Sequence, residues 1–595
     1  AFSSFEFGSK NPAPPKTAKP TPHSSPHALR SFCPLSSFLC LLHSAPMKKK
    51  LSRATALLAL AFSLPLSAFS LFSGCARRET AVAAGIRTQT LHIGNDTEPA
   101  GLDPQTYALM ADGVILSALF EGLVNLANDG TTILPGVAER WELSPDGLTY
   151  TFHLRADARW SNGDPITAED FHASYRRFLD PQFASLNVDF AYPIAGARDF
   201  SEGKTKDFSA VGVRVSGSRM LVIKLAYRAP FFLTSLAGVN FVPVHLPSVD
   251  KFDGRQRHNG KWTLPGNLVS NGPFLLTAWH QNQVVIVTRN PRYWDAARVR
   301  LNEIRFYPND DEAGEERAYR TGQLHVTFRL PATKLETYRT DHAPELHQTS
   351  LLHTASVVFN TTRSPFADAR VRRAFSLAID RNRVTNAVFG TRAQPAHSLT
   401  RPGAGGFEPP AVVRHDIAEA RRWLAEAGFA GGRGFPIVEL RVKAGSSDYS
   451  ALAEALQQMW QQTLGVQVVL LQMEKKTMVA SLYAKDFQLA LTDWFYGWND
   501  PAHPMQLCEK GGPNNLTGWE DLRFEAANAE VRQASTASER LAAFATMEGI
   551  LAEEAPYAPL HHANKPHLVH PTVRGWRDNA LYQIDWRELW LGAPQ

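Results

Sequence analysis

Apolar and polar residues change period many times along this chain. "TQTLHIGN" (88–95) and "TYTFHLR" (149–155) alternate residue by residue, which predicts half-buried strands. "MLVIKLA", "QVVIVTR", "NEIRFYP" and "VQVVLLQM" are β-branched runs of strand length. Between them the period lengthens. "MADGVILSALFEGLV", "DARVRRAFSLAIDRNRVTNAVF", "IAEARRWLAEAG" and "SALAEALQQMWQQTLG" carry apolar residues at helical spacing. "TAEDFHASYRRFLD" opens with Thr167 and has Asp170 three residues later, a capping box with Asp in place of Glu. The order helix, Gly465, then the strand "VQVVLLQM" predicts an α/β fold whose sheet is covered by helices. "SPDG", "NGDP", "RPGAGGFEPP" and "AGGRGF" read as turns and connectors, since none has the strand-to-helix setting and Lys of a phosphate loop.

At 595 residues the chain exceeds what one core can hold, so two or more lobes are expected. The net charge of +5 suggests nucleic acid or a membrane surface, but its location removes that reading. Residues 1–75 hold eight Lys/Arg and one acid, Glu6. Setting these apart from the totals of 62 and 57 leaves 54 basic and 56 acidic side chains in the body. The basic excess therefore belongs to the leader.

"MKKKLSRATALLALAFSLPLSAFSLFSGC" (47–75) has a basic start, an apolar run and small residues before Cys75, the pattern of a secretory signal. Its ending resembles a bacterial lipobox, which implies a lipidated Cys75 and an envelope location. Phe72 departs from the commoner Leu. A plain signal or an uncleaved anchor is the alternative, and Pro65 with the small-residue ending favours cleavage. Residues 1–46 are Pro- and Ser-rich without periodicity, and are expected to be a mis-extended or disordered leader before a start at Met47. Processing leaves Cys75 and Cys508, so no disulfide framework is expected.

"AERWELSPDGLTYTFHLRADARWSNGDPITAEDFHASYRR", "KWTLPGNLVSNGPF", "NPRYWD", "FADARVRRAFSLAIDRNRV" and "FQLALTDWFYGWNDP" together resemble, in order and spacing, the bacterial solute-binding proteins of peptide and nickel ABC importers. The resemblance covers about residues 88–595 and is nearest to the oligopeptide binders. It implies a two-lobe periplasmic-binding-protein fold of the large peptide-binding class (type II), with an extra subdomain. The implied division is lobe one at 88–120, 237–348 and 565–595, the subdomain at 121–236, and lobe two at 349–564. It further implies a monomeric, lipid-anchored envelope protein that binds an oligopeptide and hands it to a permease and ATPase complex, without a cofactor and without nucleic acid. The alternatives are a relative tuned to a non-peptide ligand such as a nickel chelate or haem, and a structural lipoprotein that has lost transport.

The implied ligand-binding residues are Met110, Asn187, Tyr449, Asp493, Trp494, Phe495, Tyr496, Gly497 and Asp500. Relatives commonly carry an Asp at the position of Gly497 for the peptide amino terminus. An Arg and a His that hold the carboxylate end correspond to Leu491 and Tyr449. Three charged anchors are thus absent, and Gly497 is expected to leave room where the Asp would stand. Asp493 or Asp500 is the candidate substitute, and Trp494 and Trp498 could equally be core rings. "HHANKPHLVH" (561–570) resembles a strand of the family that returns to lobe one, which implies residues alternating between solvent and core, and with no Cys or carboxylate at ligand spacing no metal site is assigned to it. No G-x-S-x-G elbow is present, and Asp493 and Asp500 are a weak carboxylate pair, so no enzyme is expected. Cys75→Ser should release the protein from membranes into the soluble fraction. Continued sedimentation with membranes would contradict a lipid anchor at Cys75.

Overall fold

The computed structural model describes residues 79–593 apart from 108, 257 and 342. Cys75, the signal-like run and residues 1–46 therefore lie outside the described residues. Thr90–Gly94 pairs in parallel with Glu303–Tyr307, which runs antiparallel to Val284–Arg289, and that strand to Phe274–His280. Leu91, Ile93, Val285, Val287, Ile304 and Phe306 form one buried face. The Met110–Leu119 helix supplies Val114, Ile115 and Leu119 to the same core. The helical period seen in the sequence runs on to Val124, but the helix stops at Leu119. Phe120 becomes extended and the Glu121 N–H donates to Asn271 Oδ1 at 3.0 Å.

A second antiparallel sheet follows, in the order Ala138–Leu143, Thr149–Leu154, Met220–Lys224, Val213–Val215. Its core joins Phe152, Leu221 and Ile223 to Phe171, Tyr175 and Phe178 of the Ala168–Leu179 helix. That helix starts with the predicted capping box: the Thr167 and Asp170 side chains each accept from the other's backbone N–H.

The largest sheet runs Leu346–Ser350, Tyr557–Leu568, His353–Phe359, Leu489–Phe495, Val438–Lys443, Val468–Met473, with Ala393–Pro395 also pairing to Tyr557–Leu568. Both of its faces are covered. Val357, Phe359, Leu489 and Leu491 pack into one core, while Val358 and Ala490 pack into another. Neighbouring residues thus enter opposite cores, as the period of two requires. The 368–389 run is two helices, Ala369–Leu377 and Arg381–Val388. Asp380 breaks it by accepting from the Arg383 N–H and capping the second.

Two segments connect this sheet to the first sheet. Tyr557–Leu568 pairs with His353–Phe359 at its start and with Leu346–Ser350 at its end. Val326 then bridges to both Val569 and Ile93 of the first sheet. Trp498 makes a further join. It is fully buried in the core of the second sheet, stacked on Phe231 at 5.2 Å and edge-on to Phe190 at 4.9 Å. No described helix is long and apolar enough to cross a membrane.

Candidate ligand cleft

The Leu489–Phe495 strand is paired on one side along its whole length and on the other only at its start. Its antiparallel partner His353–Phe359 matches it from Phe359↔Leu489 to His353↔Phe495. Its parallel partner Val438–Lys443 matches only Leu489 and Ala490. Just past the strand, the Tyr496 N–H donates to Leu352 O at 2.9 Å, which fixes the alternation. Trp494 and Tyr496 turn their backbone groups toward the partner strand, and Asp493 and Phe495 turn theirs away. Beyond Ala490 those outward groups meet no neighbouring strand. They face a cavity of about 590 Å³.

Three regions wall that cavity. The first sheet's region contributes Met110, Phe328 and Arg329, and the second sheet's region contributes Asn187 and Phe190. The large sheet's region contributes Tyr449 and the run Leu491–Gly497. The Asp493 and Phe495 side chains open into the cavity, and both lie against His353. His353 Nε2 is 3.1 Å from Asp493 Oδ2, and the His353 ring is 4.5 Å from that of Phe495. Enclosure by protein opposes the Asp493 charge, but the His353 contact and the positive charges of Lys475 and Lys443 outweigh it, so the carboxyl stays below the usual carboxylate range.

The other charges of the wall divide into paired and unpaired groups. Arg329 pairs with Asp96 at 3.1 Å, Arg392 with both oxygens of Asp448, and Arg587 with Asp585 at 2.7 Å. Lys443, Lys475 and Lys565 form no ion pair with any described carboxylate. Lys565 is the most buried. Its Nζ has no hydrogen-bond acceptor and lies 3.6 Å from the Tyr582 ring centre and 4.4 Å from that of Phe328. Burial drives its pKa well below the ordinary lysine value, against the pull of Glu315.

Of the residues expected from sequence, Met110, Asn187, Tyr449, Asp493, Trp494, Phe495, Tyr496 and Gly497 line this cavity. Asn187 is committed in part, since its Nδ2 donates to Tyr107 O at 2.9 Å. Tyr496 is largely committed as well, its hydroxyl accepting from the Arg401 N–H and meeting Thr354 Oγ1. Trp494 is half-buried between the cavity and the core beneath it. Asp500 is a correction. It is buried away from the cavity and takes a bidentate pair from Arg540 at 2.6 and 3.0 Å, so its charge is already matched. Gly497 is a second correction. A Cβ there would lie 3.0 Å from the Phe190 ring, so the position holds no free room. Phe190 cannot withdraw easily, being wedged against Trp498 and His503. Sequence reasoning missed Lys443, Lys475, Lys565 and His353. Nothing local marks a lysine that faces a cleft formed from distant segments.

The sequence model described as "Bacterial extracellular solute-binding proteins, family 5 Middle" matches residues 132–515. The periplasmic murein peptide-binding protein MppA of Escherichia coli is 31% identical over 491 residues, covering 81% of this chain and 89% of that protein. The "Probable deoxycholate-binding periplasmic protein YgiS" of Escherichia coli is 30% identical, covering 85% and 94%. Among solved structures, Escherichia coli MppA superposes with a TM-score of 0.78 at 30% identity, covering 84% of this chain and 98% of that one. Haemophilus influenzae OppA in complex with RPPGFSPFR gives 0.77 at 27% identity, covering 85% and 99%. The unliganded open form of MppA gives only 0.63 at 30% identity, covering 86% and 99%. The two lobes of this α/β fold are therefore set closer to the peptide complex than to the open form.

Gly497→Ala should destabilise the fold by about 1–3 kcal/mol, as overpacking does. Adding Phe190→Ala should make the Gly497→Ala change cheaper than it is alone. Chemical denaturation of the four variants measures both. Equal penalties with and without Phe190 would show that the ring is not what fills this position.

Proposed function

The chain belongs to the bacterial extracellular solute-binding proteins of family 5, and from that premise we propose that it captures oligopeptides between its lobes and delivers them to an ABC importer. The observation that carries this reading is the free backbone edge at Asp493 and Phe495. An extended peptide can add to that edge as a further strand. Such pairing uses main-chain groups that every peptide has, so it tolerates many sequences. The names of the relatives, a murein peptide binder and an oligopeptide binder, support the same ligand class.

The unpaired charges refine the ligand. Relatives' Arg and His positions are Leu491 and Tyr449 here, yet Lys443, Lys475 and Lys565 bring positive charge to the same cavity from other segments. We assign the peptide's carboxylate groups to these lysines, and Lys565 is the strongest candidate. A carboxylate beside its Nζ would supply the acceptor it lacks and favour the ammonium form that burial disfavours. The acid expected to meet the amino terminus is less free. Asp493 already answers His353, and two of the free lysines stand near it.

The rest of the reading follows the family. Lobe one is taken as 88–120, 237–348 and 565–595, the subdomain as 121–236 and lobe two as 349–564. Cys75 is taken as the lipid-bearing N-terminus of the mature protein, tethering a monomer to the envelope beside its permease. The role is binding without turnover, so the ligand should be released chemically unchanged.

Calorimetric titration tests the charge assignment. N-acetylated peptides should bind within about tenfold of free ones, roughly 1.4 kcal/mol. C-terminal amidation should weaken binding by more than that, and Lys565→Met should remove most of the difference between amidated and free-acid peptides. A large acetylation penalty that vanishes in Asp493→Asn would instead make Asp493 the amino-terminal anchor.

A further inference from the structure

The strand Tyr557–Leu568 carries His567 on a face that meets two groups from elsewhere in the chain. In the antiparallel ladder with Leu346–Ser350, His567 stands directly opposite His347. The loop after the strand returns Asp578 to the same spot. His347 Nδ1 is 2.7 Å from Asp578 Oδ2, and His567 Nε2 is 3.2 Å from Asp578 Oδ1. One ligand atom from each residue falls within 4.8 Å of the other two.

The hydrogen bonding around the cluster is what points to an ion. His567 is fully buried, and its Nδ1 lies 3.2 Å from the Lys565 carbonyl oxygen. A carbonyl only accepts, so Nδ1 must carry the hydrogen. In the neutral ring this leaves Nε2 with a bare lone pair. Nε2 has no hydrogen-bond partner, although Asp578 Oδ1 lies 3.2 Å away. Two electron-rich atoms this close repel unless a proton or a metal cation stands between them. The surrounding groups are those that orient metal ligands. The Lys565 carbonyl fixes the His567 tautomer, and the Trp576 Nε1–H donates to Asp578 Oδ1 at 3.1 Å.

We propose that His347, His567 and Asp578 bind a divalent late first-row cation, with Zn²⁺ as the reference ion. Two imidazoles and one carboxylate suit Zn²⁺, and the partial exposure of His347 and Asp578 leaves a fourth position for water. The ion would tie the edge strand Leu346–Ser350, the crossing strand and the 576–578 loop together where the lobes are joined. The site lies outside the peptide cavity. Tyr582 stands between them, its ring 5.9 Å from that of His567 on one side and beneath Lys565 on the other.

The test uses chelator-stripped full-length protein titrated with Zn²⁺ by calorimetry, and with Co²⁺ followed by its visible absorption. One equivalent of Zn²⁺ should bind, and His347→Gln and Asp578→Asn should each weaken it at least tenfold. Both positions are partly exposed, so both variants should fold and keep their peptide affinity. If one fails to fold, the other carries the test, and Co²⁺ bands of a nitrogen-bearing low-coordinate site should be lost in it. No binding, or binding of equal strength in a folded variant, overturns the proposal and leaves the three groups as a hydrogen-bonded cluster.

Discussion

The central constraint is a ladder that stops. Val438–Lys443 accompanies the Leu489–Phe495 strand only as far as Ala490, while the opposite partner continues to Phe495. A backbone N–H and C=O left without a partner away from water is expensive, so such groups must be met by something. At Asp493 and Phe495 the neighbour is a cavity of about 590 Å³. Everything else about the site follows from keeping this edge open. The same strand is buried at Leu489, Ala490 and Leu491, where both faces of the sheet are covered, and becomes cleft wall within two residues. A rigid core thus holds an unsatisfied edge in place, which is how a binding surface can be preorganised at little entropic loss.

The charges in the cleft show why its chemistry is assembled rather than local. Arg392 and Asp448 neutralise each other across 56 residues, and Arg329 and Asp96 across 233. These pairs remove most of the wall's charge from play. Among the cations, those left without an acid are lysines from three separate segments, with Lys565 held over two aromatic rings. Counted over the whole lining the charge balances, six Lys/Arg against six Asp/Glu. Net charge therefore says nothing of this site, and only the pairing pattern reveals it.

The same contrast explains how much was legible in the sequence. The alternation in "TYTFHLR" and "QVVIVTR", the box at Thr167 and Asp170, and the Gly465 stop each gave an element in the right place, because each depends on neighbours in the chain. "DWFYGWNDP" could be recognised as cleft wall, and most of the expected residues do line the cavity. The failures depend on distant partners. Asp500 looked available until Arg540, 40 residues on, claimed both its oxygens. Gly497 looked like free space until Phe190, about 300 residues earlier in the chain, filled it. The histidine run does form a strand, but the expected alternation between solvent and core fails because both its faces are covered, and its opposite strand and the returning Asp578 loop could not be seen from spacing. Helix breaks at Leu119 and Asp380 were missed because apolar periodicity persists through them, while capping and a contact to Asn271 end the helices.

The account's central claim is that the ligand pairs as a strand with the open edge at Asp493 and Phe495. A backbone N-methyl scan of one bound peptide, read by calorimetry, tests it most directly. Methylation removes a donor without changing the side chain, and one lost hydrogen bond is worth about 0.5–1.5 kcal/mol. The account predicts a loss with a period of two along the peptide, up to roughly tenfold at alternate residues. A loss that follows side-chain identity, with no alternation, would contradict it.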